Sequence, residues 1–162
     1  PYKREVVRNQ CTVLVDGLDK SGDYSILHHA FVCGPGRTTP IGTFRTPFKA
    51  AWHPLQGCWG QYCTQITGNY LFHSSPYNSP NKNDLSYRLY NQLGTVCSHG
   101  CVRLTVADAK WIYDNCPLGT TVSIYNASSL PVPKPSAPWL DISSPNRGWD
   151  PTDPDPANPW NK

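Results

Sequence analysis

The chain has 162 residues, 38% of them hydrophobic, and its 14 Lys and Arg exceed its 11 Asp and Glu by a formal net charge of +3. That length suits one domain with an appendage and a modest core. The charge is too small for a nucleic-acid partner, there is no basic run, and no apolar stretch is long enough to span a bilayer.

Seven cysteines stand at positions 11, 33, 58, 63, 97, 101 and 116. Three disulfides would leave one thiol free, and spacing alone does not choose the pairing. Such usage predicts an oxidising, extracytoplasmic compartment, with the cell wall or the secreted fraction as the expected location. Reduced, buried structural thiols are the alternative. The sequence lacks methionine and starts at Pro1, which reads as a processed or cloned fragment.

Residues 1–9 are polar and basic and read as a lead-in. Cys11–Val15 is β-branched and predicts a strand, and Tyr24–Cys33 a second one. Asp-Gly and Ser-Gly-Asp between them are turn chemistry, so the pair reads as a hairpin with Cys11 facing Cys33. His28 and His29 lie in the second strand outside any metal-ligand spacing. Gly34–Ile41 is a tight Gly/Pro loop that lacks the Gly-Lys-Ser/Thr of a phosphate loop, and Gly42–Thr46 starts another strand. Residues 47–61 are irregular and aromatic, with Trp52, His53 and Trp59. Cys58 and Cys63 are close enough in sequence to close a small loop. Tyr62–Asn69 and Tyr70–Ser75 read as strands meeting near Gly68–Asn69, the second carrying His73. After a polar loop at 76–83, Leu85, Leu89 and Leu93 recur every fourth residue before Gly94, which predicts a short helix over 84–93.

Ser98-His99-Gly100-Cys101-Val102-Arg103-Leu104 comes next. Downstream, Thr105 and Asp108 fit a capping box. Ala109, Ile112, Tyr113 and Cys116 mark the inner face of a helix, ended by Pro117 and Gly119. Thr120–Tyr125 is a final strand. From Ala127 the composition shifts: the tail holds nine of the 17 prolines together with Trp139, Trp149 and Trp160. Proline at that density precludes regular structure, and the tryptophans are expected to pin the tail to the domain. Asp150, Asp153 and Asp155 raise a calcium loop, but the glycine of such a loop is missing.

Three chemistries suit the stretch around Cys101. As a nucleophile, Cys101 needs a base, from His99 or His73, and backbone donors for an oxyanion, from Gly100 and Cys101. Arg103 suits a substrate carboxylate. As a zinc site, Cys97, His99 and Cys101 alternate along a strand, but no second ligand pair follows. As structure alone, Cys101 would be half of a disulfide.

The Ser-His-Gly-Cys-Val-Arg-Leu stretch, preceded by Leu-Phe-His-Ser at 71–74 and Thr-Thr-Pro-Ile-Gly-Thr-Phe at 38–44, resembles the catalytic domain of bacterial L,D-transpeptidases, the YkuD family. The likeness runs from about 10 to 126 and is similar to secreted Gram-positive members. It divides the chain into a lead-in at 1–9, a catalytic domain at 10–126 and a Pro/Trp-rich extension at 127–162. It implies a mainly β sandwich with short helices and the tail packed on it. Cys101 would be the nucleophile and His73 its base, oriented by the backbone of Ser74. His99 would shape the site, Gly100 would serve the oxyanion, and Arg103 would support substrate or site. Ser98, Tyr62 and Trp52 are the expected substrate contacts.

The implied reaction joins third residues of peptidoglycan stem peptides through a cysteine thioester, releasing D-alanine from tetrapeptide donors. It needs no metal or organic cofactor. Carbapenem β-lactams would be covalent inhibitors, no nucleic acid takes part, and the chain would act as a monomer. Carboxypeptidase activity, a related cysteine hydrolase and a silent wall-binding module are the alternatives. The 24 residues between His73 and Ser98 exceed the family's usual spacing and are expected to form a lid or wall beside the site.

Overall fold

A computed structural model describes residues 1–45 and 47–162; Thr46, the last residue of one expected strand, lies outside them. Two β-sheets face each other. One has five strands in the order β3-β2-β1-β9-β4: β1 (Tyr2–Val7), β2 (Thr12–Leu18), β3 (Tyr24–Val32), β4 (Gly42–Arg45) and β9 (Thr121–Tyr125). The other has four in the order β5-β6-β7-β8: β5 (Lys49–Pro54), β6 (Trp59–Thr67), β7 (Tyr70–Ser74) and β8 (Val102–Leu104). Val6, Val13, Val15 and Phe31 from the first meet Ile66, Phe72, Val102 and Leu104 from the second in one core. Helix α2 (Val106–Asn115) adds Ala109 and Ile112 to it. The architecture is the mainly β sandwich with short helices that the sequence implies.

The segment expected to be a lead-in is the middle strand of the larger sheet. β1 pairs antiparallel with β2 and parallel with β9. Its polar look comes from Lys3 and Glu5, whereas Arg4 is fully buried, with its guanidinium 5.2 Å from the Phe72 ring centroid and Nη2 donating to the Thr120 carbonyl at 2.6 Å. The helix expected over 84–93 is one turn, α1 (Tyr87–Tyr90). Leu85 and Tyr90 bury their side chains with Tyr77, Val106 and Leu140 in a second, smaller core.

The tail packs on that second core, though not mainly through its tryptophans. Trp139 is 78% exposed, while Leu140 is buried and Trp160 is partly so. Asp150, Asp153 and Asn158 are buried. Asp150 Oδ2 accepts the Val106 N–H at 3.0 Å and Thr152 Oγ1 accepts the Ala107 N–H at 3.0 Å. Thr105 Oγ1 accepts the Asp108 N–H at 3.2 Å, the first half of the expected capping box. The tail thus completes the N-terminal cap of α2, whose first N–H groups have no partner inside the helix.

All seven cysteines are thiols in this structure. Cys116, expected in the core or a disulfide, is a core residue. Among the described residues no three His, Cys, Asp or Glu side chains group as metal ligands would, and no helix is long and apolar enough to cross a membrane.

Candidate active site

His73 lies on β7 and Cys101 immediately precedes β8. These strands run parallel with Phe72 opposite Val102 and His73 opposite Arg103. Side chains two residues apart on a strand share a face, so Cys101, Arg103 and His73 all project from one side of the sheet. Cys101 stands two positions before Arg103, the register partner of His73, so the two are diagonal neighbours on adjacent strands. Both line a cleft of about 720 Å³ with Ser98, His99 and Arg103. None of the described residues lining that cleft is Asp or Glu.

The imidazole is set for one task. His73 is buried, and its Nδ1 hydrogen-bonds the carbonyl of Ser74. A carbonyl only accepts, so Nδ1 carries the proton and Nε2 keeps its lone pair. Burial pushes the His73 pKa down to about 4, with Arg103 and His53 adding to the effect against the Ser74 carbonyl. Burial also pushes the Cys101 thiol up, opposed by the Leu71 amide and Arg103. The pair therefore rests as thiol and neutral imidazole, with the S–H donating to the Asn69 carbonyl at 3.4 Å.

The backbone around Cys101 is held from behind by the Gly/Pro loop. Gly34 and Arg103 exchange both backbone hydrogen bonds, and the Cys97 and Ser98 N–H groups donate to the Pro35 carbonyl. Thr38 Oγ1 donates to the His99 carbonyl at 2.7 Å and Thr39 Oγ1 to that of Gly100 at 2.6 Å. Gly100 has φ +144°, and a Cβ there would fall 2.4 Å from the Tyr70 ring, so both conformation and space demand glycine.

A family model for the L,D-transpeptidase catalytic domain, YkuD, matches residues 9–124. The chain belongs to that family. "Putative L,D-transpeptidase YciB" of Bacillus subtilis (strain 168) is 39% identical over 93 residues, which is 53% of this chain and 46% of that one. The crystal structure of a fused Zn-dependent amidase/peptidase/peptidoglycan-binding domain-containing protein from Clostridium acetobutylicum ATCC 824 is 32% identical, with TM-score 0.57 over 76% of this chain and 51% of that one. An L,D-transpeptidase from Mycobacterium smegmatis, at 17% identity and TM-score 0.60, covers 76% of this chain and 58% of its own. LdtMt1 in complex with imipenem, at 19% and 0.57, covers the same shares. These last two show a common fold. This YkuD chain spans about half the length of the proteins it matches.

The expected L,D-transpeptidase site divides in three. Cys101, His73, His99, Ser98 and Arg103 come together in the cleft, and Ser74 orients His73 through its carbonyl. Gly100 is present, but its N–H donates to Ser98 Oγ at 3.0 Å, so in this state it is not turned to an oxyanion. Ser98 Oγ in turn donates to the Cys101 carbonyl at 2.5 Å, which makes Ser98 a clasp across the Ser98–Cys101 turn. Trp52 and Tyr62 are not in the cleft. They pack against the second core, Trp52 edge-on to Tyr77 at 5.1 Å and Tyr62 edge-on to Tyr113 at 5.5 Å.

The expected lid is not over the site either. Of residues 76–97 only Pro76 lines the cleft, because Tyr77, Leu85 and Tyr90 are drawn into the second core under the tail. Cys58 does line the cleft, whereas Cys63 is buried away from solvent.

Sequence reasoning missed Gly60 and Asn69. A Cβ on Gly60 would stand 3.0 Å from His73 Cβ and 2.9 Å from Cys63 Sγ, so this glycine makes the seat of the imidazole. Residues 47–61 read as irregular, but they hold β5 and the start of β6, so the signal of a glycine inside a strand was hidden. Asn69 acts through its carbonyl, which any residue supplies.

Proposed function

We propose that this chain is a cysteine-dependent acyltransferase of the peptidoglycan wall, acting as an L,D-transpeptidase. The observation that carries the proposal is that one cleft holds the Cys101 thiol together with His73, whose Nδ1 is tied to the Ser74 carbonyl so that its Nε2 lone pair stays free. Cys101 sulfur attacks the carbonyl of the third stem residue, and His73 Nε2 takes the thiol proton. The peptide C–N bond breaks and the amine of D-alanine leaves with that proton. An amine on a neighbouring stem then attacks the thioester, His73 accepts its proton, and the Cys101 thiol is restored. The Cys101 amide is the proposed donor to the developing oxyanion, joined by Gly100 once Ser98 Oγ releases it.

Arg103 suits an anionic substrate. It is 9% exposed, its Nη1 donates to the Cys97 carbonyl at 3.1 Å, and no ion pair among the described residues includes it. A nearly buried cation facing an acid-free cleft favours a carboxylate-bearing ligand. The site of action is proposed to be extracytoplasmic, where the wall is, with the chain working as a monomer. Imipenem binding by LdtMt1 supports carbapenem acylation of Cys101.

Intact mass after incubation with a tetrapeptide muropeptide and, separately, a carbapenem tests this reading. Cross-linked dimer with released D-alanine, and a single carbapenem adduct at Cys101, are expected. Tripeptide without dimer would show a carboxypeptidase, and binding without adduct or turnover would overturn the enzyme reading.

A further inference from the structure

The cleft holds an imidazole to which the proposed reaction gives no task. His53 lies on β5 opposite Gly60 of β6, and a Cβ on Gly60 would meet His73 Cβ at 3.0 Å. Residues opposed on neighbouring strands share a face, so His53 and His73 project from the same side of the sheet, with no side chain on Gly60 to part them. His53 is half-buried and lines the cleft with Cys101 and Arg103, and its charge adds to the lowering of the His73 pKa. Its ring packs edge-on to Phe48 with centroids 5.4 Å apart. No ion pair among the described residues includes it. The strand order β5-β6-β7-β8 sets His53 and Arg103 at opposite sides of the cleft, three strand spacings or about 14 Å apart at the backbone. Both side chains take up part of that span. On an extended ligand, carboxylates two or three residues apart are separated by about 7–11 Å. An imidazole takes a proton between pH 5 and 8 and then partners a carboxylate, and no Asp or Glu among the described lining residues competes for it.

We infer that His53 is a specificity-determining residue, the second of two anchors with Arg103, so that the cleft selects stem peptides bearing two free carboxylates. The inference rests on the transpeptidase reading and names the substrate class within it. Arg103 stands two residues past Cys101 and takes the carboxylate of the residue that leaves, which is the one nearest the attacked carbonyl. His53 takes a carboxylate upstream of that carbonyl. An acidic second stem residue supplies this group two residues before the leaving one, and its carboxamide lacks the charge.

The test is calorimetric binding to the Cys101→Ala chain, which cannot turn the ligand over. Two tetrapeptide stems are compared at pH 5.5 and pH 8, one with a free carboxylate on its second residue and one with the carboxamide there. At pH 5.5 the carboxylate stem should bind about 10-fold more tightly, and the margin should shrink at pH 8. His53→Gln in the same background should remove the margin at both pH values. Cys58, Tyr70, His73, His99, Cys101 and Arg103 are the other titratable groups lining the cleft. A pH-dependent margin that survives in His53→Gln belongs to one of them and overturns the inference. Equal affinity for the two stems at pH 5.5, or no binding of either, overturns it as well, and that comparison needs no His53 variant. The carbapenem adduct of the wild type involves no stem peptide, so it decides the transpeptidase reading separately.

Discussion

Replacing Asp150 by alanine separates the tail from the helix it caps. Asp150 is fully buried; its Oδ2 accepts the Val106 N–H at 3.0 Å, and its Oδ1 accepts the Thr152 N–H at 2.8 Å and hydroxyl at 2.6 Å. Alanine strands the buried Val106 N–H, at about 1–3 kcal/mol, and loses two further hydrogen bonds worth about 1 kcal/mol each. The sum is roughly 3–5 kcal/mol, or about 6–20 °C in melting temperature for a chain of this size. Asp150→Asn keeps an acceptor for Val106 and should lose less than half as much. Burial pushes the Asp150 carboxyl up to about 6 from 3.8, against its hydrogen bonds. The folded state thus binds this proton more tightly than the unfolded chain. The stabilisation is full below the unfolded value and is lost as pH rises through about 6. The wild type's margin over Asp150→Asn should therefore be larger at mildly acid pH than at neutral pH. Thermal unfolding followed by circular dichroism on either side of that window decides the matter. An Asp150→Ala variant melting within about 2 °C of wild type would refute the capping argument.

The other predictions concern the cleft. Cys101→Ala should abolish the carbapenem adduct with the fold intact, whereas Cys58→Ala, at the other thiol lining the cleft, should keep it; intact mass reads both. With His73 pushed down to about 4, the adduct rate should rise with pH through that value and stay level across neutrality. A stopped-flow profile with its inflection near 6.5 would contradict the neutral-pair reading. Gly60→Ala should cut acylation about 100-fold by moving the imidazole, while costing about 1–3 kcal/mol of stability in urea unfolding.

Much of the scaffold was legible because its strands carry β-branched alternation and its turns carry glycine. The hairpin of Cys11 and Cys33, the meeting of β6 and β7 near Gly68 and the α2 cap at Thr105 follow from local patterns, whereas local pattern left His99 and His73 equally open as partners of Cys101 and only the family resemblance pointed to His73, which shares its cleft. What failed depends on partners distant in sequence. β1 looked like a polar lead-in because an inward arginine, satisfied by Phe72 and Thr120, is indistinguishable in sequence from an outward one. Trp52 and Tyr62 have a composition suited to binding, but whether an aromatic faces a cleft or a second core is set by the tail that arrives a hundred residues later. The tail's own anchor is Asp150, a buried carboxylate that meets the Val106 N–H, and it is backed by Asn158, which donates to the Asp150 and Asp153 carbonyls; neither burial is written in the local sequence.

The position of β1 bears on how the molecule assembles. Residues 4–7 sit beside residues 122–125, so the larger sheet joins two stretches separated by most of the chain. Pairings of such sequence separation are slow, because a long loop must close before any contact rewards it. During synthesis the first strand waits with an unpaired edge until β9 has emerged. The β2–β3 hairpin can form early and cover the other side of β1, but the sandwich closes only once β9 is available. The tail that follows β9 then caps α2, so a segment made after the sandwich strands seals the helix behind the histidine strand.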